Sequence, residues 1–364
     1  MLATTAKQIS WKKKLADHRM TGIKKWLVIV EKGLRFFQCG LQWEQEQDVD
    51  LGDMISDILS RKSTNTIHSR AGPILRYIDW CLEGGQSPIP FEEILLYKFV
   101  SDVGAKAAPT FSRSFLCSVA FTGHVLGCES AVKVLESRRL TGAAAKHFKE
   151  KRKTQQKPPL SVAHVKLLEE IVLGIPQKRK IADRLMAGFC MWLVTARARY
   201  SDGQSAGVLQ LDAVETGEGL CGYIEARVSR SKTSMTVEKR TKYLPMAGKV
   251  RMFQKQSWAK VYLELLHEAG IQMAEGKPLM PTPTVGGWGS LPLTAEAAAA
   301  WLRALLTTAG VDSREAAALG THSCKATMLS WAAKAGVPKE FRSTLGYHGP
   351  RGSVEVYLDE PGFG

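Results

Sequence analysis

Four residues near the end of the chain have the types and order that phosphodiester chemistry needs: His322, Lys325, His348 and Tyr357. Upstream stand Arg199-Tyr200-Ser201-Asp202 and a basic polar run containing Lys232. Cleaving a phosphodiester without a metal requires cations against the non-bridging oxygens, a nucleophile in line, and a proton donor beside the leaving oxygen. Arg199 and Lys325 suit the first role, Tyr357 the second and Lys232 the third. His322 and His348 can donate hydrogen bonds or take the tyrosine proton. Asp202, three residues after Arg199, is placed to orient the guanidinium. Each residue alone has a plainer use: a tyrosine at a helix edge, a loop histidine, a histidine at a helix start. Arg197 competes with Arg199, and the Ser-Asp that follows favours Arg199. Lys239 and Lys242 compete with Lys232, which is preferred because it falls in a turn.

These residues need elements to carry them. Thr321 precedes His322, which places His322 in the first turn of a helix over 322–334, with Lys325 one turn on and on the same face. A further helix covers Lys339–Leu345, and Gly336 and Pro338 mark the break between the two. Residues 223–228 alternate as a strand and 241–244 make its partner, with Ser229–Ser234 between them as a polar loop. Ile181–Ala196 is a strongly apolar helix and should be buried. Ser161 caps a helix carrying Val165, Leu168, Ile171 and Val172. Residues 278–292, rich in Pro and Gly, read as a long surface loop, and a helix follows at Thr294–Leu306.

The first half reads as helical. Residues 9–38 form one basic amphipathic helix with Ile23, Trp26, Leu27, Val30, Leu34 and Phe37 on a face, and that face is expected to pack. Ile74, Tyr77, Ile78, Cys81 and Leu82 make a helical stripe that Gly84-Gly85 ends. Helices follow at Phe91–Val103 and at about 110–126, the latter with Phe111, Phe115 and Val119 on one side and Arg113 on another. Residues 146–157 are basic and polar and run into Pro158-Pro159, a linker signal and a strap suited to a phosphate backbone. There are no internal repeats.

The chain has 364 residues, 50 Lys+Arg against 35 Asp+Glu, and a formal net charge of +15, a balance that points to a polyanionic partner. Its 45% hydrophobic content fits globular domains and excludes a disordered chain. Seven scattered cysteines with no Cys-x-x-Cys pair argue against a disulfide framework or a zinc site. No apolar run reaches membrane-spanning length and no signal-peptide core opens the chain, so an intracellular protein is expected, nuclear if eukaryotic and otherwise cytoplasmic.

Taken together, Arg199-Tyr200-Ser201-Asp202, Lys232 on an expected hairpin, His322-Ser323-Cys324-Lys325, Leu345-Gly346-Tyr347-His348 and Val354-Glu355-Val356-Tyr357 resemble the tyrosine recombinases of the phage-integrase type. The intervals from 322 to 348 and from 348 to 357 match that family's spacing, and the resemblance covers about residues 66 to 358. It implies an α+β fold, mostly α. An N-terminal helical core-binding bundle that clamps DNA would be followed by a mixed catalytic domain with a small antiparallel sheet. The expected divisions are a basic extension at 1–60, the core-binding domain at 61–145, a linker at 146–159 and the catalytic domain at 160–364.

The resemblance further implies double-stranded DNA as partner, assembly as a homotetramer on DNA, and a mobile-element origin. It implies site-specific strand exchange through a 3′-phosphotyrosyl intermediate with no cofactor. Arg199, Lys232, His322, Lys325, His348 and Tyr357 form its catalytic set, Asp202 its support, and Arg113, Lys149, Lys151, Arg152 and Lys153 contact DNA. The chain departs from the family in four places, one of them the stretch from Asp202 to Asp212, which is about two residues longer than usual. Lys325 stands where the family has its second arginine, keeping the charge but losing the two-pronged grip on phosphate. Tyr347 is inserted before His348. Only seven residues follow Tyr357, where many relatives carry a further helix that docks on a neighbour. The exchange at Lys325 raises a second function class, a DNA-binding protein that keeps the fold without the chemistry. A type IB topoisomerase is a third.

Overall fold

A computed structural model describes residues 11–45, 48–150, 157–176, 179–228 and 244–346. The fold is α+β and mostly α. It divides into two compact units, Met1–Gln155 and Gln156–Gly364. Among the described residues, no helix is long and apolar enough to cross a membrane.

The N-terminal unit is all helix: α1 (Trp11–Glu31), a 3₁₀ turn (Leu34–Phe36), α2 (Gln38–Gln45), α3 (Leu51–Ile58), α4 (Thr64–Glu83), α5 (Glu93–Lys106), α6 (Phe111–Leu126), α7 (Glu129–Val134) and α8 (Arg138–Glu150). Side-chain caps set two of the starts. Asp50 accepts from the Asp53 N–H at 3.1 Å and Ser63 accepts from the Thr66 N–H at 3.2 Å. Gly127, left-handed at φ 71°, closes α6. The core is aromatic: the Tyr77 ring lies 5.4 Å from Phe99 and 5.6 Å from Phe115, and Phe99 and Phe115 meet edge-on at 4.8 Å.

The segment expected as an extension supplies part of this core. Trp26, Ile29, Val30, Ile55 and Leu59 are buried with it, and the Trp26 indole donates to the Ile67 carbonyl at 3.1 Å. The single helix expected over 9–38 instead stops at Glu31. At Gly33 the backbone lies so close to the Ile89 side chain that a β-carbon has no room, and the chain turns there. Of the Ile74–Leu82 stripe, Leu82 faces outward at 50% exposure. The basic run expected as a linker begins inside α8, which continues to Glu150.

The C-terminal unit contains α9 (Val162–Leu173), α10 (Ile181–Thr195), α11 (Tyr200–Gln204), β1 (Leu209–Thr216), β2 (Gly219–Val228), β3 (Leu244–Lys249), α12 (Trp258–Glu268), β4 (Pro281–Thr284), β5 (Gly287–Pro292), α13 (Ala295–Thr308), α14 (Ser313–Ala318), α15 (Thr321–Lys334) and α16 (Lys339–Leu345). Strands β1, β2 and β3 form an antiparallel sheet in that order. Ile224 pairs with Leu211 on one side and Gly248 on the other, and Val228 pairs with Leu244. Helix α10 is the axis. Every residue from Leu185 to Thr195 is buried, and α9, α12, α13, α15 and β3 pack around it. The β3 backbone touches α10 at Gly248, where a β-carbon would collide with the Thr195 hydroxyl.

Residues 281–292, expected as loop, pair as the hairpin β4–β5, with Thr284 opposite Gly287 and φ 131° at Gly287 making the turn. Strand β1 and helix α14 were not expected. Only Leu209 of β1 is buried, so its apolar alternation is a weak signal for a strand.

A buried carboxylate fixes the chain after β3. Glu169 of α9 is fully buried and accepts from the backbone N–H groups of Met252, Phe253 and Gln254 at 2.8, 2.7 and 3.1 Å. Glu169→Ala leaves those donors without their partner. It should lower the urea-unfolding stability of this unit by about 3 kcal/mol, with Glu169→Gln falling between the variant and the parent. An unchanged unfolding midpoint for Glu169→Ala would contradict that role.

Candidate active site

Arg199 sits in the joint between two helices. Helix α10 ends in a paired turn in which the Arg197 N–H donates to the Val194 carbonyl at 3.1 Å and the Ala198 N–H donates to the Leu193 carbonyl at 3.0 Å. Arg199 then adopts an extended conformation (φ −66°, ψ 150°) as the residue before α11, and the Gly203 N–H donates to its carbonyl at 2.8 Å. This joint places the Arg199 guanidinium 3.4 Å from the Asp202 carboxylate. The Arg199 side chain retains 22% exposure and that of Asp202 only 2%. Burial pushes the Asp202 carboxyl above its usual range, opposed by the Arg199 and Lys325 charges and by the Ser201 hydroxyl.

The short α11 is anchored by Gln204. Its amide donates to the Met280 carbonyl at 2.8 Å and to the Tyr200 hydroxyl at 3.0 Å, and its oxygen accepts from the Met280 N–H at 2.9 Å. Tyr200 in turn donates to the Leu293 carbonyl at 2.6 Å. The sequence reading passed over this residue. Its signal is a lone amide side chain in a run of small residues, Gly203-Gln204-Ser205-Ala206-Gly207.

His322 and Lys325 lie one turn apart at the start of α15, as their spacing implies. The hydroxyl of Ser323, between them, accepts from the Gly320 N–H at 3.1 Å and ties the first turn to the residue before the helix. Thr327 ties α15 to the start of the unit by accepting from the Leu160 N–H at 2.9 Å. His322 stays exposed to solvent, whereas Lys325 is only 2% exposed and donates to the Gly346 carbonyl at 2.8 Å. Partial desolvation of the His322 ring, then the nearby charges of Lys325 and Arg199, lowers its pKa from the usual imidazole value. Arg199, Asp202, His322 and Lys325 therefore share one electrostatic site between α11 and α15, which pack on each other.

Arg197 has a different use. Its Nε donates to the Leu345 carbonyl at 3.0 Å, Nη1 to the Thr195 carbonyl at 2.9 Å and Nη2 to the Ala247 carbonyl at 3.3 Å. Lys232, His348 and Tyr357 lie outside the described residues, as do Lys151, Arg152, Lys153, Lys239 and Lys242. Arg113 and Lys149 are both exposed in the N-terminal unit, on α6 and α8, and the Arg113 guanidinium stands 5.9 Å from the centre of the Phe148 ring. Among the described residues, no three His, Cys, Asp or Glu side chains gather as a metal site.

No protein-family model and no curated protein sequence matches the chain. Solved structures similar to it include XerH site-specific recombinase bound to its palindromic difH substrate in a post-cleavage complex. The identity there is 13% and the TM-score 0.47, covering 85% of this chain and 78% of that one. Another is the Tn1549 transposon integrase in complex with transposon right-end DNA, at 12% identity and TM-score 0.46, covering 88% and 92%. A third is a lambda integrase dimer bound to a core site, at 12% identity and TM-score 0.44, covering 84% and 93%.

Because the His322 pKa is lower in the folded chain than in the unfolded one, the unfolded chain binds more protons just below the ordinary imidazole pKa of about 6.5. The contribution of His322 to stability is thus fully present above that pH and declines below it. Replacing Lys325 with Gln removes a repelling charge and should raise the His322 pKa, read from its imidazole resonances in a pH titration. A downward shift or no shift would show that the two groups do not share one field.

Proposed function

We propose that this chain is a site-specific DNA recombinase of the tyrosine type. The observation that carries the reading is the shared site of Arg199, Asp202, His322 and Lys325. A scissile phosphate seated there meets the Arg199 guanidinium, oriented by Asp202, and the charge of Lys325. His322, whose pKa is lowered at this site, donates or accepts one hydrogen bond. The Tyr357 oxygen attacks phosphorus, forming the phosphotyrosyl bond, while the 5′-oxygen departs with a proton from Lys232. The phenolic proton passes to His322 or His348. A 5′-hydroxyl from another strand reverses these events, and the bond energy is retained throughout. The +15 net charge supplies the attraction to double-stranded DNA. Arg113, Lys149, Lys151, Arg152 and Lys153 are proposed as backbone contacts, and assembly on DNA as a homotetramer.

One observation favours a second reading. Lys325 is buried and spends a donor on the Gly346 carbonyl, which weakens its grip on a phosphate and fits a DNA-binding protein without cleavage activity. A nicked suicide substrate carrying the chain's own site separates the two. The recombinase reading expects a covalent adduct that survives denaturing electrophoresis and is lost in Tyr357→Phe. Binding without adduct in the parent chain would select the second reading. Under either reading, affinity should fall steeply with salt, with a log–log slope of about −0.9 for each phosphate contacted. A flat response would remove DNA as the partner.

A further inference from the structure

Arg197 is the one non-glycine with positive φ among the described residues, at 53°. It occupies the position after the α10 cap that glycine fills most easily, because a β-carbon there crowds the backbone. An arginine kept at such a place suggests a use for its side chain. The three guanidinium nitrogens that donate reach three carbonyls on three elements: Thr195 on α10, Ala247 on β3 and Leu345 on α16. The first two are firmly set, since β3 and α10 touch at Gly248 and Thr195. The third is among the last carbonyls of α16, which have no partner within the helix and attract a cation. The next carbonyl along, Gly346, accepts from Lys325 of α15. Two consecutive carbonyls at the end of α16 are thus held by cations from two other elements, and His348 follows two residues later.

We propose that Arg197 is a positioning residue: acting with Lys325, it fixes the end of α16 against α10 and β3 and so sets where the chain departs toward His348 and Tyr357. A planar fork is needed because three separated carbonyls must be met at once, which the point charge of a lysine cannot do. The clamp stands on its own geometry, and only its effect on cleavage rests on the recombinase reading.

The test uses the full chain with Arg197→Gly, which removes the fork and gives φ 53° to a residue that adopts it freely. The variant should fold with a thermal midpoint close to that of the parent. Amide exchange in residues 339–346 should become about tenfold faster while α9 and α13 keep their protection. On the nicked substrate, adduct formation should slow by about a hundredfold, the scale of a 1 Å misplacement, at unchanged DNA affinity. Arg197→Lys should not restore the rate.

Unchanged exchange in 339–346 overturns the clamp. Loss of protection across the whole unit also overturns it, because the role is then general packing. Faster local exchange with an unchanged adduct rate overturns positioning. If the parent chain forms no adduct, the recombinase reading fails, and the exchange measurement still decides the clamp.

Discussion

The C-terminal unit depends on keeping charge out of water. Asp202 and Lys325 are 1% and 2% exposed, in a unit whose central helix is buried along most of its length. A lone buried ion of either sign is strongly disfavoured, and removing one partner leaves the other uncompensated. Asp202 is sustained by Arg199, by the Lys325 charge and by Ser201, while Lys325 has the Gly346 carbonyl. This arrangement tolerates little movement, because the compensation falls away as the groups separate. The surrounding hydrogen bonds serve that need. Gln204 binds α11 to Met280, and Thr327 binds α15 to Leu160. His322 lies in the same field, where the Lys325 and Arg199 charges add to desolvation in lowering its pKa.

The N-terminal unit solves a simpler problem. Its centre is aromatic and aliphatic, with Tyr77, Phe99 and Phe115 in mutual contact, and its charges stay on the outside. Helix α1 contributes to that centre alongside the later helices, through Trp26, Ile29 and Val30. Each unit therefore owns a core, as expected of separate domains.

Much of this was legible along the chain, and the reasons for the rest are physical. Helical stripes with end signals located α4, α6, α9, α10 and α15 well, because periodicity and caps are local. The Ser-Asp after Arg199 and the three-residue step from His322 to Lys325 are local too, and the structure sets Arg199 3.4 Å from Asp202 and His322 one turn from Lys325. The break at Gly33 is set by Ile89, far along the sequence, and no nearby residue announces it. The hairpin β4–β5 was masked by its prolines and glycines, which also mark loops. The use of Arg197 was illegible for the same reason as Gly33. Two of its three acceptors are 50 and 148 residues away, and its backbone conformation leaves no trace in the sequence.

The contact between Gly248 and Thr195 bears on how such a chain can vary. It pins the base of the β2–β3 ribbon to the same helix end that presents Arg199, while the register holds Leu244 opposite Val228. A side chain at 248 would press on Thr195 and disturb the helix end and the ribbon together, so variation should be scarce at 248 and at 195.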